Sequence, residues 1–502
     1  MRKYKGLGAI NRVHFIGIGG VSMSGLAEIL AKDGFVVSGS DWTAKPSTDH
    51  LRSIGIEVAI GPNDAKNISA DMELIVYTAA VKPDNPERIA AEAMDIPTMV
   101  RGELLGAILQ GFDYPVCIAG SHGKTSTTAL VTAITIAAGL DPTVNIGGFI
   151  GDKNNYIGSS PYFVLEACEY SNTFHHVHPH IGVILNIDID HMDFYGSMDA
   201  IIESFAKFAG NIRPGGTLII QEGIEGFDRI VAGLDCEIIT FHAGVRQDAP
   251  PSLKGISRQY WMQDVAPSSQ NPEDTAGAAQ IPRGVSPCSV LQGPCSVPQN
   301  PCSVPPFDVM IGQVPQARVS LPLPGEYNMN NALAAFAVGQ KLDIDSNAIA
   351  AALSQVKGVK RRYEYKGEVG GVTIIDDYAH HPTEIRACLE ASRKGGYNRI
   401  VCLFQPHTYT RTRDLFDDFT KAFGEADITL FLPIYAAREP FDPSISSAML
   451  AEKVAARGEA AVSCENFEEA EAWLRGKLMP GDLLITMGAG EAHFIGEALL
   501  AK

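Results

Sequence analysis

Pro115-Val116-Cys117-Ile118-Ala119-Gly120-Ser121-His122-Gly123-Lys124-Thr125-Ser126-Thr127-Thr128 decides how the rest of this chain reads. Its first five residues form an apolar, strand-like run, and a helical pattern continues from Thr127 to Ala138. Gly120 and Gly123 let backbone N–H groups converge on an anion, and the helix that follows offers its positive end. Lys124 can place a point charge on phosphate oxygens, and Thr125 a hydroxyl on Mg²⁺. Ser121 and Ser126 fall inside the same turn. The string is Gly-x-x-Gly-Lys-Thr; the first glycine of the longer phosphate-loop pattern is replaced by Ile118.

Upstream, Val13-His14-Phe15-Ile16 is a short strand followed by Gly17-Ile18-Gly19-Gly20-Val21-Ser22-Met23-Ser24-Gly25 and a helical run. A second strand ends at Asp41, where a dinucleotide fold would hold a ribose or simply close a turn. The third glycine of the dinucleotide fingerprint is Ser22 here. Further strands are expected at 57–60, 74–77 and 96–100, with a helix led by Pro86. Residues 1–110 thus read as one parallel α/β domain.

Downstream, Tyr162-Phe163-Val164-Leu165 runs into Glu166 and Glu169, and Ile181 to Asn186 runs into Asp188, Asp190 and His191. Acids and a histidine past strand ends are where α/β sheets hold ligands. Mg²⁺ prefers oxygen ligands, so Glu169 is the expected metal carboxylate, and His191 a second ligand or the holder of a ligating water. Residues 247–306 are rich in Pro, Ser, Gln and Gly, and a seven-residue unit recurs over 286–306 with Cys288, Cys295 and Cys302. A proline in each unit excludes a helix, and a disordered surface loop is expected. Asn328 and Asn331 precede an Ala-rich helix, which they could cap, or they could read an adenine edge. The span 111–356 is read as the central domain.

The last segment, 357–502, is again parallel α/β. One strand ends in Asp376-Asp377-Tyr378-Ala379-His380-His381-Pro382 and another in Gln405-Pro406-His407, with Arg411 and Arg413 close behind. In a loop, both arginines could reach a carboxylate or phosphate.

The 502 residues are 45% apolar and 20% charged, ordinary for a globular enzyme. A net charge of −18 argues against non-specific nucleic-acid binding. No apolar run reaches membrane-spanning length, and no signal peptide is evident. Nine cysteines without a Cys-x-x-Cys pair give no disulfide framework, so a reducing cytoplasm is the expected compartment.

Four stretches, taken together in this order and spacing, resemble the Mur ligase family: His14 to Gly25, Gly120 to Thr128, Asn186 to Asp193, and Asp376 to Pro382 followed by Gln405-Pro406-His407. The resemblance implies three α/β domains: an N-terminal Rossmann-like UDP-sugar domain, a central P-loop ATPase-like parallel sheet, and a C-terminal Rossmann-like domain that closes over both. It implies an ATP-dependent amide ligase of peptidoglycan precursor synthesis with UDP-N-acetylmuramate, L-alanine and ATP as partners. A relative that attaches a recycled peptide or another amino acid, or a non-catalytic nucleotide sensor, stays open. Carried over by position, Gly17, Gly19, Gly20, Ser24 and Asp41 would serve the UDP-sugar. Gly120, Ser121, Gly123, Lys124, Thr125, Ser126, Asn328, Asn331, Arg361 and Asp377 would serve ATP, and Thr125, Glu169 and His191 would hold Mg²⁺. Lys124, His191, His380 and Arg411 would be catalytic, with the base being either histidine. The chain departs from the family at Gly61-Pro62, Tyr327 and Thr408. A monomer or weak homodimer is expected.

Overall fold

The computed structural model describes residues 4–248, 255–264 and 303–501, apart from 79, 152 and 438. Within the loop expected over 247–306, the repeat at 286–306 with its three cysteines therefore falls almost wholly outside the described residues. The six described cysteines are free thiols. Among the described residues no helix is long and apolar enough to cross a membrane.

Among these residues the strands form three sheets, of five, ten and six strands. The first is wholly parallel, in the order Glu57–Ile60, Val36–Asp41, Arg12–Ile16, Leu74–Tyr77, Thr98–Val100. The central sheet has a parallel middle with antiparallel edges at Lys153–Tyr156 and at Phe307–Ile311 and Val314–Val319. In the third, Val372–Asp377, Asp482–Met487, Arg399–Phe404, Ile428–Phe431 and Ala461–Ser463 run parallel, with Glu364–Val369 antiparallel at the edge.

Val116, Cys117, Ile118 and Ala119 are all fully buried, as a central strand covered on both faces requires. The helix Lys124–Ala137 that follows is buried along most of its length and packs against Glu326–Lys341. Two buried threonine hydroxyls there are satisfied within the helix: Thr132 and Thr135 donate to the carbonyls of Thr128 and Val131 at 2.7 and 2.8 Å.

Two expectations change. Arg258–Asp264, inside the stretch read as a loop, is a strand of the central sheet whose Tyr260, Trp261 and Met262 are buried. Its aromatic core was masked by the polar composition around it. The Ala-rich helix starts at Glu326, so Asn328 and Asn331 lie inside it rather than capping it; Gly325 occupies the N-cap.

Candidate active site

Strands Ile181–Ile184, Tyr114–Ala119 and Tyr162–Glu166 are adjacent and parallel. That pairing brings three loops to one edge: the glycine loop, the Glu166–Glu169 segment, and Asn186–His191. Gly120 and Gly123 take φ of 146° and 82°, conformations that L side chains avoid. A Cβ on Gly123 would also lie 2.5 Å from Asn331 Oδ1.

Lys124 Nζ donates to the carbonyls of Gly120 and Ser121 at 2.6 and 3.0 Å and to Glu169 Oε1 at 2.9 Å. Burial works against its charge, but Glu169, ahead of Cys168 and Glu166, holds its pKa above the usual lysine range. Lys124 also stands 2.9 Å from Glu169 Oε2, yet without hydrogen-bond alignment, so that buried oxygen has no donor. Beside the ammonium, that oxygen keeps a lone pair free for a further cation. Thr125 donates to Glu166 Oε1 at 2.9 Å, which leaves its own lone pairs for a cation. His191 Nε2 lies 3.7 Å from Glu169 Oε1 and 3.6 Å from Asp190 Oδ2. The donor set thus fits Mg²⁺.

Two cavities open where the central sheet meets the third. One, of about 360 Å³, is lined by Gly123, Ser126, Asn328, Asn331, Arg362 and Asp377. Asn328 donates to the Pro324 carbonyl and accepts from Asn331. Burial lifts the Asp377 carboxyl to about 6 against the pull of Arg362 and the Ala379 and Tyr363 amides. Arg361 turns away: its Nε donates to Asp376 at 2.9 Å and Nη2 to the Gly488 carbonyl at 2.7 Å. The arginine that lines this cavity is its neighbour Arg362, which residue order alone did not distinguish.

The second cavity, of about 560 Å³, is lined by Tyr170, His191, His407, Arg411, Tyr435 and Glu439 among others. Arg411 donates to Asp190 Oδ1 from Nε and Nη2 at 3.3 and 2.9 Å, and its Nη1 lies 3.2 Å from His407 Nδ1. Arg413 does not join it. Both sit on the short helix Tyr409–Asp414, and Arg413 points instead to Asp414 and Asp442. His380 stands 3.0 Å from the Tyr378 carbonyl through Nδ1. Burial drops its pKa to about 3 despite Glu384, and drops that of His407 to about 4 with help from Arg411.

Those neutral rings give a pH prediction. In the unfolded chain both histidines charge near ~6.5, so below that pH the unfolded state holds more protons and stability falls with acidification. Asp377, at about 6, takes a proton in the folded state over the same window and offsets part of this. His380→Asn should remove a slope of up to about 1.4 kcal/mol per pH unit from the calorimetric stability between pH 6.5 and 5. An unchanged slope would mean that His380 is charged in the fold.

In the N-terminal sheet the glycine loop is held by its own chain. The amides of Gly17 and Ile18 donate to the Ser40 carbonyl, Gly20 to Gly17, and Gly19 to Asp41 Oδ2 at 2.9 Å. Asp41 is buried and also receives Lys45 Nζ at 3.0 Å, while Ser24 donates back to the Val21 carbonyl. Gly17, Gly19, Gly20, Ser24 and Asp41 therefore shape the turn. The donors left for an anion are the first-turn amides of the helix Val21–Lys32. Arg101, which the sequence reading passed over, stands at that turn, with Nη1 donating to Ser22 Oγ at 2.9 Å. The only clue to it in sequence was a basic residue opening a helix after a strand.

A phosphate loop facing a buried lysine–carboxylate pair, within three α/β units, defines a nucleotide-dependent enzyme whose chemistry lies between sheets. The family description "Mur ligase family, catalytic domain" matches residues 12–113, "Mur ligase middle domain" residues 118–271, and "Mur ligase, glutamate ligase domain" residues 361–490. The chain is 42% identical over 492 residues to a UDP-N-acetylmuramate–L-alanine ligase of Agathobacter rectalis, covering 98% of each chain. It is 40% identical to one of Clostridium novyi, covering 97% of each. A crystal structure of the UDP-N-acetylmuramate-alanine ligase of Thermotoga maritima shares the fold, with a TM-score of 0.72, 24% identity and 98% coverage of each chain. The chain belongs to the Mur ligase family.

Proposed function

We propose that this protein joins L-alanine to the carboxylate of UDP-N-acetylmuramate with hydrolysis of ATP to ADP and phosphate, in peptidoglycan precursor synthesis. The near full-length match to relatives of that activity carries the reading, and the intact Lys124–Glu169 centre is consistent with it.

The sugar carboxylate attacks the γ-phosphate of ATP, ADP leaves, and an acyl phosphate forms. The amine of L-alanine then attacks the acyl carbon, phosphate leaves, and the amide is made. Two anions must meet in the first step, so positioning and charge neutralisation dominate. Lys124 and the glycine-loop amides supply positive potential on the γ-phosphate side. Asn328, Asn331 and Asp377, around the smaller cavity, are assigned to the adenosine, with Arg362 rather than Arg361 as the cation there. Mg²⁺, held by Glu169, Thr125 and His191, would neutralise phosphate oxygens. His380, with its pKa at about 3, is too weak a base to hold the amine proton at neutral pH. Arg411, on the wall of the larger cavity, is assigned to the carboxylate of the incoming amino acid. The N-terminal unit, residues 1–110, takes the UDP moiety, with Arg101 and the first turn of Val21–Lys32 at the diphosphate. We place the enzyme in the cytoplasm, as a monomer or weak homodimer.

The deciding assay supplies UDP-N-acetylmuramate and ATP with L-alanine, L-serine, glycine or a tripeptide. ADP release that needs both the UDP-sugar and L-alanine is expected; release driven best by the tripeptide would overturn the reading. Arg101→Ala should raise KM for the UDP-sugar about tenfold, the loss of one charge-assisted contact, with KM for ATP unchanged. Equal changes in both constants would remove Arg101 from the diphosphate site.

A further inference from the structure

One group inside the phosphate loop has no part in that scheme. His122, between Gly120 and Gly123, does not turn its ring toward the Lys124–Glu169 centre. Its Nε2 lies 3.0 Å from Asp188 Oδ2, at the end of the neighbouring strand, and its Nδ1 lies 3.1 Å from Glu384 Oε1. Glu384 belongs to the first turn of the helix Pro382–Arg393, on the third sheet's side of the cleft.

The backbone of His122 is clamped as well. Its N–H donates to Asn186 Oδ1 at 2.7 Å, and its carbonyl accepts from Asn186 Nδ2 at 3.0 Å. The same first turn of Pro382–Arg393 grips the Asn186–His191 loop twice more. Thr383 Oγ1 donates to Asp188 Oδ2 at 2.7 Å, and His381 Nε2 lies 2.9 Å from the Ile189 carbonyl.

We infer that Glu384 and His122 form a positioning relay through which docking of the C-terminal unit sets the phosphate loop for ATP. The inference rests on the ligase reading for its substrate and on these contacts for its geometry. Glu384 and His122 act here as positioning residues for Lys124 and the loop amides; both also line the cavity assigned to the adenosine.

A metal ion is the rival occupant, since ligand atoms of His122, Asp188 and His381 lie within 4.8 Å of one another. The hydrogen bonds argue for a proton instead. Both nitrogens of His122 face carboxylate oxygens, so both donate and the ring is an imidazolium. His381 Nδ1 is taken by the Thr383 N–H at 3.3 Å.

The electrostatics agree. Burial alone would lower the pKa of His122, but Asp188 and Glu384 outweigh it and raise the pKa to about 9. Burial works against the charge of Glu384, but the hydrogen bond and charge of His122, with Arg362, hold it ionised. The titratable and charged groups around the bridge are Asp188 and His381 beside His122, and His380, Arg362 and Asp377 beside Glu384.

The sign follows from the raised pKa. The docked arrangement keeps this contribution at any pH below about 6.5, the value for a free histidine, and loses it as pH climbs through about 9. Above that pH the ring donates to only one of the two carboxylates, and the charged bridge between Asp188 and Glu384 is broken.

Glu384→Gln in the full-length protein keeps the shape and removes the charge. The expected result is about a tenfold weaker affinity for ATP by calorimetry, the worth of one charge-assisted hydrogen bond. The alkaline limb of kcat/KM for ATP should move at least about one pH unit to lower pH, with KM for the UDP-sugar unchanged. Glu384→Asp should recover part of both effects. Calorimetry with ATP alone needs no turnover, so it tests the relay even if the amino-acid assignment fails. Unchanged ATP affinity and an unchanged alkaline limb would overturn the relay. So would a uniform loss of affinity for both substrates with a lowered melting temperature, which is what a purely structural role predicts. A Zn²⁺-dependent gain of ATP affinity in the wild-type protein would assign the cluster to a metal and overturn it too.

Discussion

Lys124→Ala should lower about a thousandfold the kcat for ADP release that depends on both the UDP-sugar and L-alanine. Lys124 is the ammonium at the centre of the phosphate loop, held at three points by Gly120, Ser121 and Glu169. Its charge is fully developed at neutral pH because Glu169 outweighs the cost of burial. Truncation also leaves Glu169 buried with neither its lysine nor a substitute, a situation that costs about 3–5 kcal/mol. The loss of activity should therefore come with a lower melting temperature, and the measurement has to separate the two. Kinetics at a temperature where circular dichroism shows the variant fully folded will do so. Near-normal coupled turnover in the folded variant would remove the loop from the chemistry.

Glu169→Gln should reduce kcat by about a hundredfold or more and raise the Mg²⁺ concentration needed for half-maximal rate. Here the structural cost is smaller than for Lys124→Ala, because the lysine keeps the carbonyls of Gly120 and Ser121 as acceptors. The lost element is the carboxylate oxygen that carries no hydrogen-bond donor in this fold. Titrating Mg²⁺ against the rate distinguishes this from general damage. A variant with the wild-type Mg²⁺ dependence and merely lower kcat would show that Glu169 serves only as the counter-ion of Lys124. The double variant should be no worse than the poorer single one, since the two groups act as a unit.

Much of this site is legible in the sequence. Lys124, Thr125, Glu169 and His191 lie just beyond strand ends, and local pattern is enough to say that such residues gather at the carboxyl edge of a sheet. The parallel central strands carry that prediction, because Ile181–Ile184, Tyr114–Ala119 and Tyr162–Glu166 turn out to be neighbours. Strand Arg258–Asp264 was missed for the opposite reason: a short aromatic core, Tyr260 to Met262, sits inside a Pro- and Ser-rich window that swamps it.

What the sequence by itself determined is the set of local conformations and the identity of the chemistry. A glycine pair that takes positive φ, a lysine at the start of a buried helix, and acids at strand ends follow from backbone sterics and from charge. What only the tertiary structure decided is which of two equivalent side chains lines a cavity and which is spent on a partner. Arg361 and Arg362 are adjacent, yet one is spent on Asp376 and the other lines the cavity. Asp41, which the sequence leaves open as a ribose acid or a turn residue, accepts from the Gly19 amide. His122 is bound to Asp188 and to Glu384, 66 and 262 positions away. Such choices depend on long-range packing, where the desolvation of one charge is met by a partner from another part of the chain. No local pattern records that partner.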